Sequence, residues 1–169
     1  MSGALVLRNR QQARAVDLRF LRRIIKALLR DHLQTESFDL GVYLVSSREM
    51  TRLNETFLRH QGSTDVITFD YSEIAGEPSP LSNPRVMLHG EIFICVDEAV
   101  AQARQFRATW QSELARYLIH GLLHLHGHDD LQPAPRRKMR LRENHLLRKL
   151  ARQFNLAKIA ALRKSQPNR

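Results

Sequence analysis

Two histidines four residues apart close an apolar run, His120-Gly-Leu-Leu-His124, and a glycine, Gly127, follows three residues later. An α-helix takes about 3.6 residues per turn, so positions four apart share one face and two imidazoles can converge on one point. Gly127 can adopt a left-handed backbone, end that helix and turn the chain back, carrying Asp130 toward the same point as a third ligand. The segment has the spacing of a metal site. An isolated buried histidine is usually a hydrogen-bonded core residue. Here, however, half of the chain's 8 histidines (His120, His124, His126 and His128) fall in one window with Asp129 and Asp130. Two histidines and one carboxylate leave a vertex of a tetrahedral zinc ion open, as catalysis requires, whereas structural zinc sites are closed and usually cysteine-rich. A catalytic metal is therefore expected at the C-terminal end of a central helix.

Composition narrows what can surround that site. A chain of 169 residues, 43% hydrophobic, can bury one core, and nothing in its length requires two. Residues 1–155 are expected to form a single domain, and 156–169 a basic tail, helical at first and frayed from Ser165 to Arg169. The only cysteine, Cys95, lies in the apolar run Ile92-Phe-Ile-Cys-Val96, which reads as a buried strand in a reducing compartment. No apolar stretch approaches a membrane span, and the amino terminus lacks a secretory pattern, so a soluble, cytoplasmic protein is expected. The formal charge of +10 is concentrated in Arg14–Arg30, Arg136–Arg152 and Lys158–Arg169, which favours polyanionic partners. Taken singly, most of these arginines are read as solvated helix faces.

The hydrophobic patterning is mixed. Leu5 to Leu7 is predicted as a strand, followed by a helix opened by Asp17 that carries Phe20, Leu21, Ile24, Ile25, Leu28 and Leu29 on one stripe. A strand through Leu40, Val42 and Leu44 leads to a capping box, Ser46 to Glu49, and a helix toward Leu58. Strands are predicted at Val66–Tyr71 and Gly90–Val96, with a Pro- and Ser-containing loop, Glu77–Pro84, between them. Asp97 is read as the cap of a following helix, Gln111–Leu125 as the histidine-bearing helix, and Pro133 and Pro135 as a break before a basic helix, Arg136–Phe154. The class is α+β, a small mixed sheet backed by helices.

At this point three blocks resemble one family. His120-Gly-Leu-Leu-His124-Leu with Gly127 and Asp129 is similar to the signature of the YbeY family of bacterial rRNA maturation factors, single-strand-specific metallo-endoribonucleases. Leu53-Asn54 to Arg59 with Ser63-Thr-Asp-Val-Ile-Thr-Phe69, and Gly90-Glu91-Ile92 to Asp97, match two further segments in the expected order. The resemblance implies a zinc ion at His120, His124 and Asp130 and an activity-bearing Arg59; independently of it, an oxygen ligand moves preference toward Mn²⁺ or Mg²⁺. The resemblance also implies single-stranded rRNA and the small ribosomal subunit as partners, with 16S rRNA 3′-end maturation and ribosome quality control as the role, and neither DNA nor membrane as a target. Asp130 departs from the histidine of many members, Glu91 from aspartate, and Asp70 from proline.

The chemistry is consistent with that implication. Zinc makes hydroxide available near neutral pH and polarises a phosphoryl oxygen, and a guanidinium is a planar, permanently charged partner for the charge gathered in phosphodiester cleavage. Arg59 is the candidate for that second role, against the alternative of a helix-end arginine bonded to the last carbonyls. Thr64 and Asp65 are read as fixing the loop before a strand, with orientation of a ligand histidine as the alternative for Asp65. His60 is read as a surface histidine, or else an acid near the scissile phosphate. His126 and His128 are rivals to Asp130 as third ligand, while His32, His89 and His145 belong to no constellation. Two other functions compete: a metalloprotease, demoted because Gly121 stands where such enzymes carry a glutamate, and a non-catalytic RNA-binding module with a structural metal.

Overall fold

In the run Phe38-Asp-Leu40-Gly-Val42-Tyr-Leu44 every second side chain is buried, so one face of a strand is committed to a core. The computed structural model describes residues 2–72 and 87–161. Within them the chain forms β1 (Ser2–Asn9), α1 (Leu18–Ala27), β2 (Ser37–Val45), α2 (Ser47–Leu53), β3 (Val66–Asp70), β4 (Met87–Cys95), α3 (Val96–Gln105), α4 (Trp110–Leu125) and α5 (Pro133–Gln153). Among the described residues the sheet has four strands in the order β1-β2-β4-β3. β1 and β4 run parallel to β2, and β3 runs antiparallel to β4 with Val66 opposite Ile94. This is the α+β arrangement with a mixed sheet expected from the sequence.

One sheet face, bearing Leu40, Val42, Leu44, Leu88, Ile92 and Ile94, is covered by α1 and α4 in the main core, and α5 packs on α4 in the same core. The other carries a smaller cluster of Val45, Ile67, Phe93 and Cys95, covered by Met50 of α2. Cys95 is buried, as its apolar run implied. α4 is buried on most of its circumference, from Leu114 through Leu125, which suits a helix enclosed by sheet and helices. Its partly exposed positions Arg116, His120 and His124 recur every four residues and form a single polar stripe.

The close approach of α4 to the sheet depends on Gly121. A Cβ there would lie 2.7 Å from Cγ2 of Ile92, itself fully buried. Helix propensity favours alanine over glycine by about 1 kcal/mol, but overpacking a dense core costs about 1–3 kcal/mol. Gly121→Ala should therefore lower stability by up to about 2 kcal/mol, read as a lower urea midpoint at unchanged slope. A midpoint equal to or above wild type would show that the sheet yields.

Several local expectations are corrected. Asp97 is not a cap: α3 begins at Val96, and the Asp97 carboxylate accepts the Ser47 backbone N–H at 2.7 Å, tying α3 to α2. Ser46 does cap α2 by accepting Glu49 N–H, but the Glu49 carboxylate accepts from Arg10 at 3.1 Å instead of reaching back. Pro133 and Pro135 start α5 rather than precede it, because a missing N–H is harmless in a first turn. α1 and α2 each widen into a π-helical turn, Leu28–His32 and Asn54–Leu58. Leu156–Ile159 forms a 3₁₀ turn with Ile159 fully buried, and Ala161 N–H donates to the Ala15 carbonyl, so the first residues read as tail are docked. The Glu77–Pro84 loop and the Ser165–Arg169 end lie outside the described residues. No helix among the described residues is long and apolar enough to cross a membrane.

Candidate metal centre

α4 ends at Leu125, and Gly127 follows with φ 80°, the left-handed turn its position called for. The returning chain brings Asp130 against both histidines. Its carboxylate oxygens lie 3.8 Å from His120 Nε2 and 3.8 Å from His124 Nε2, and the two Nε2 atoms are 3.1 Å apart. A tetrahedral zinc ion with bonds of about 2.0–2.1 Å sets its ligand atoms about 3.3 Å apart, so the spacing suits such an ion. His120, His124 and Asp130 form a group that could hold a metal.

The outer nitrogens strengthen that fit. His120 Nδ1 lies 3.1 Å from Oε2 of Glu143, and His124 Nδ1 lies 3.1 Å from the His128 carbonyl. Carboxylate and carbonyl oxygens only accept, so each ring carries a proton on Nδ1 and offers its Nε2 lone pair inward. With both rings neutral the two Nε2 lone pairs face each other across 3.1 Å, an arrangement relieved either by a proton on His120 or by a metal ion held between them. Burial alone would lower the His120 pKa, but the Glu143 hydrogen bond and charge reverse the sign and hold it above the usual value. Burial and the charge on His120 push His124 down.

Glu143 is a residue that the sequence reading missed. Only 8% exposed, it accepts from Arg116 Nη1 at 2.7 Å as well as from His120. Burial raises its pKa, yet those two partners outweigh it and keep the carboxyl below its ordinary value. Arg116 also donates to Asn144 at 2.8 Å. The available signal was a glutamate inside the buried stripe Met139, Glu143, Leu146, Leu150 of α5.

The other candidates separate from the centre. His126 Nε2 bonds Thr35 Oγ1 at 3.1 Å, and Asp129 accepts the Leu131 N–H within the turn. Asp65 accepts from Thr64 and from Val66 N–H, the loop-fixing role expected, and it makes no hydrogen bond to His120. Arg59 closes the turn after α2 with φ 56°, and Asn54 secures that loop by donating to the Gly62 carbonyl at 2.9 Å. Among the described residues the Arg59 side chain has no hydrogen bond or ion pair, so bonding to helix-end carbonyls is not seen there. With His60 it lines a cavity separate from the one beside His120. The latter, of about 820 Å³, is bordered by His120, Asp130, Asp65, Tyr117 and Arg140. Gly121 faces Ile92 and Thr68 of the sheet, so its position has no room for a protease glutamate.

Comparison with known proteins identifies a family for the chain. The profile of the family described as Endoribonuclease YbeY matches residues 6–151. A Salinibacter ruber protein named Endoribonuclease YbeY is 33% identical over 85% of this chain and 89% of its own. A Syntrophus aciditrophicus protein of the same name is 34% identical over 86% and 89%. A Myxococcus xanthus relative, also of that name, is 37% identical over 68% of this chain, which spans only 37% of that protein's length. A solution structure from Thermotoga maritima shares the fold, with a TM-score of 0.63 over 97% of this chain and all of its own, at 22% identity. The chain belongs to the endoribonuclease YbeY family.

Proposed function

We propose that this protein is a zinc-dependent, single-strand-specific endoribonuclease that matures rRNA, acting at the 3′ end of 16S rRNA and in ribosome quality control in the cytoplasm. The observation that carries the reading is the convergence of two Nε2 lone pairs and the Asp130 carboxylate beside an open cavity, in a member of this family. His120, His124 and Asp130 would hold the ion. It supplies Lewis-acid activation of water and of the phosphoryl group. The oxygen ligand also admits Mn²⁺ or Mg²⁺. Glu143 and the His128 carbonyl keep both imidazoles in the tautomer that offers Nε2, so the donors are set before the ion arrives. Arg59, its guanidinium unpaired among the described residues but its cavity separate from the one beside His120, would stabilise the charge that gathers on the phosphoryl oxygens once a bound strand spans the two.

Single strands are favoured because an A-form duplex hides its base edges in a deep groove, whereas an unpaired strand can bend into the cleft. The test is incubation of metal-loaded protein with a single-stranded RNA, its duplex and casein, with chelator controls. Chelator-sensitive cleavage of the single strand alone is expected. Equal rates on the duplex, or cleavage of casein, would overturn the reading. Arg59→Ala should lower turnover about 10- to 1,000-fold, the scale of one lost charge-stabilising donor, at unchanged metal content and melting temperature. Unchanged turnover per folded molecule would leave Arg59 a structural residue.

A further inference from the structure

The cavity beside His120 is bordered, besides the metal-binding group, by Gln102 and Phe106 at the C-terminal end of α3 and by Arg136, Arg140 and Asn144 of α5. Phe106, at the end of α3, is a cavity wall residue and is 64% exposed, so a flat apolar ring borders the space. Four neighbouring polar groups help to line the same space: Gln102, Arg116, Arg136 and Arg140. Two of the arginines are already engaged. Arg116 is bonded to Glu143 and Asn144, and Arg136 donates to the Asp130 and Leu131 carbonyls. Arg140 and the Gln102 amide have no partner among the described residues. The Tyr117 hydroxyl, buried in the same wall, has none either.

An exposed aromatic face, a free guanidinium and unpaired amide and hydroxyl groups in one cleft match the parts of a nucleotide: a flat base, its edge and its phosphate. Stacking on an aromatic ring tolerates any base but requires one that is splayed from a duplex. We infer that this end of the cleft is a subsite for one nucleotide of single-stranded RNA flanking the scissile phosphate, with Phe106 stacking its base and Arg140 holding its phosphate. The inference rests on the reading of the adjoining centre as RNA-cleaving. It supplies a contact that selects unpaired RNA, separate from the group that holds the ion.

The test is single-turnover cleavage of a short single-stranded RNA by metal-loaded wild type, Phe106→Ala, Phe106→Trp and Arg140→Ala at several salt concentrations. Phe106→Ala should raise the half-saturating concentration about 5- to 150-fold at an unchanged salt slope, since stacking carries no charge. Phe106→Trp should restore it. Arg140→Ala should weaken binding and flatten the slope of log affinity against log salt by about 0.7, the loss of one single-strand phosphate contact. Metal content should be wild-type throughout. Wild-type half-saturation and slope in both alanine variants would overturn the subsite, as would a loss of maximal rate with no change in half-saturation. If the wild type fails to cleave, the proposed activity falls, and fluorescence anisotropy of the same RNA on the same variants decides the subsite separately, by the same shifts.

Discussion

Asp130→Ala should abolish stable metal binding, while His126→Ala and His128→Ala should each retain one ion per chain. The first removes one of three donor groups whose atoms all lie within 4.8 Å of one another. The loss should exceed the roughly 10- to 100-fold typical of a missing outer-shell partner. His126 is engaged by Thr35, a residue 2% exposed, so its replacement leaves a buried hydroxyl unpaired and costs about 1–3 kcal/mol of stability instead. His128 contributes its backbone carbonyl to His124, and alanine keeps that carbonyl. Elemental analysis with thermal melts on the three variants separates the outcomes. A His128→Ala protein that loses its ion beside an Asp130→Ala protein that keeps it would move the third ligand to His128.

The second large effect is expected at Glu143. Glu143→Ala removes the acceptor that keeps the proton on His120 Nδ1, so the ring is free to turn or to change tautomer and Nε2 is no longer held toward the ion. Zinc affinity should fall about 10- to 100-fold, and activity at saturating zinc should recover in part. Glu143→Gln keeps an acceptor oxygen without the charge and should fall between wild type and alanine. The readout is competition with a chromophoric chelator, which reports on the site whether or not RNA is cut. Wild-type affinity in Glu143→Ala would reduce the contact to packing between α4 and α5.

These two residues also mark how far the sequence could be read. Asp130 was legible because its position follows from short-range rules: two histidines one helical turn apart, a glycine free to take positive φ, and a fixed number of residues beyond it. Glu143 was not, because it reaches His120 from another helix across 23 positions of sequence. Only the packing of α5 on α4 brings them together, although a glutamate in an apolar stripe was the visible clue. The strands were legible in kind from alternation at Leu40, Val42 and Leu44, yet their pairing order, with β4 between β2 and β3, depends on tertiary contacts. Local rules failed where a distant group took over. Asp97 resembles a cap in sequence but serves Ser47, and Glu49, placed to complete a capping box, turns to Arg10. The π-helical turns after α1 and α2 carry no sequence pattern of their own.

The arrangement at the end of α4 is tested most directly by anomalous diffraction at the zinc edge from crystals of the metal-loaded protein. One peak is expected, within bonding distance of Nε2 of His120, Nε2 of His124 and the carboxylate of Asp130, with the fourth position open to the cavity. A peak bound by His126 or His128, or one closed by four protein ligands, would contradict a catalytic centre built on these three residues.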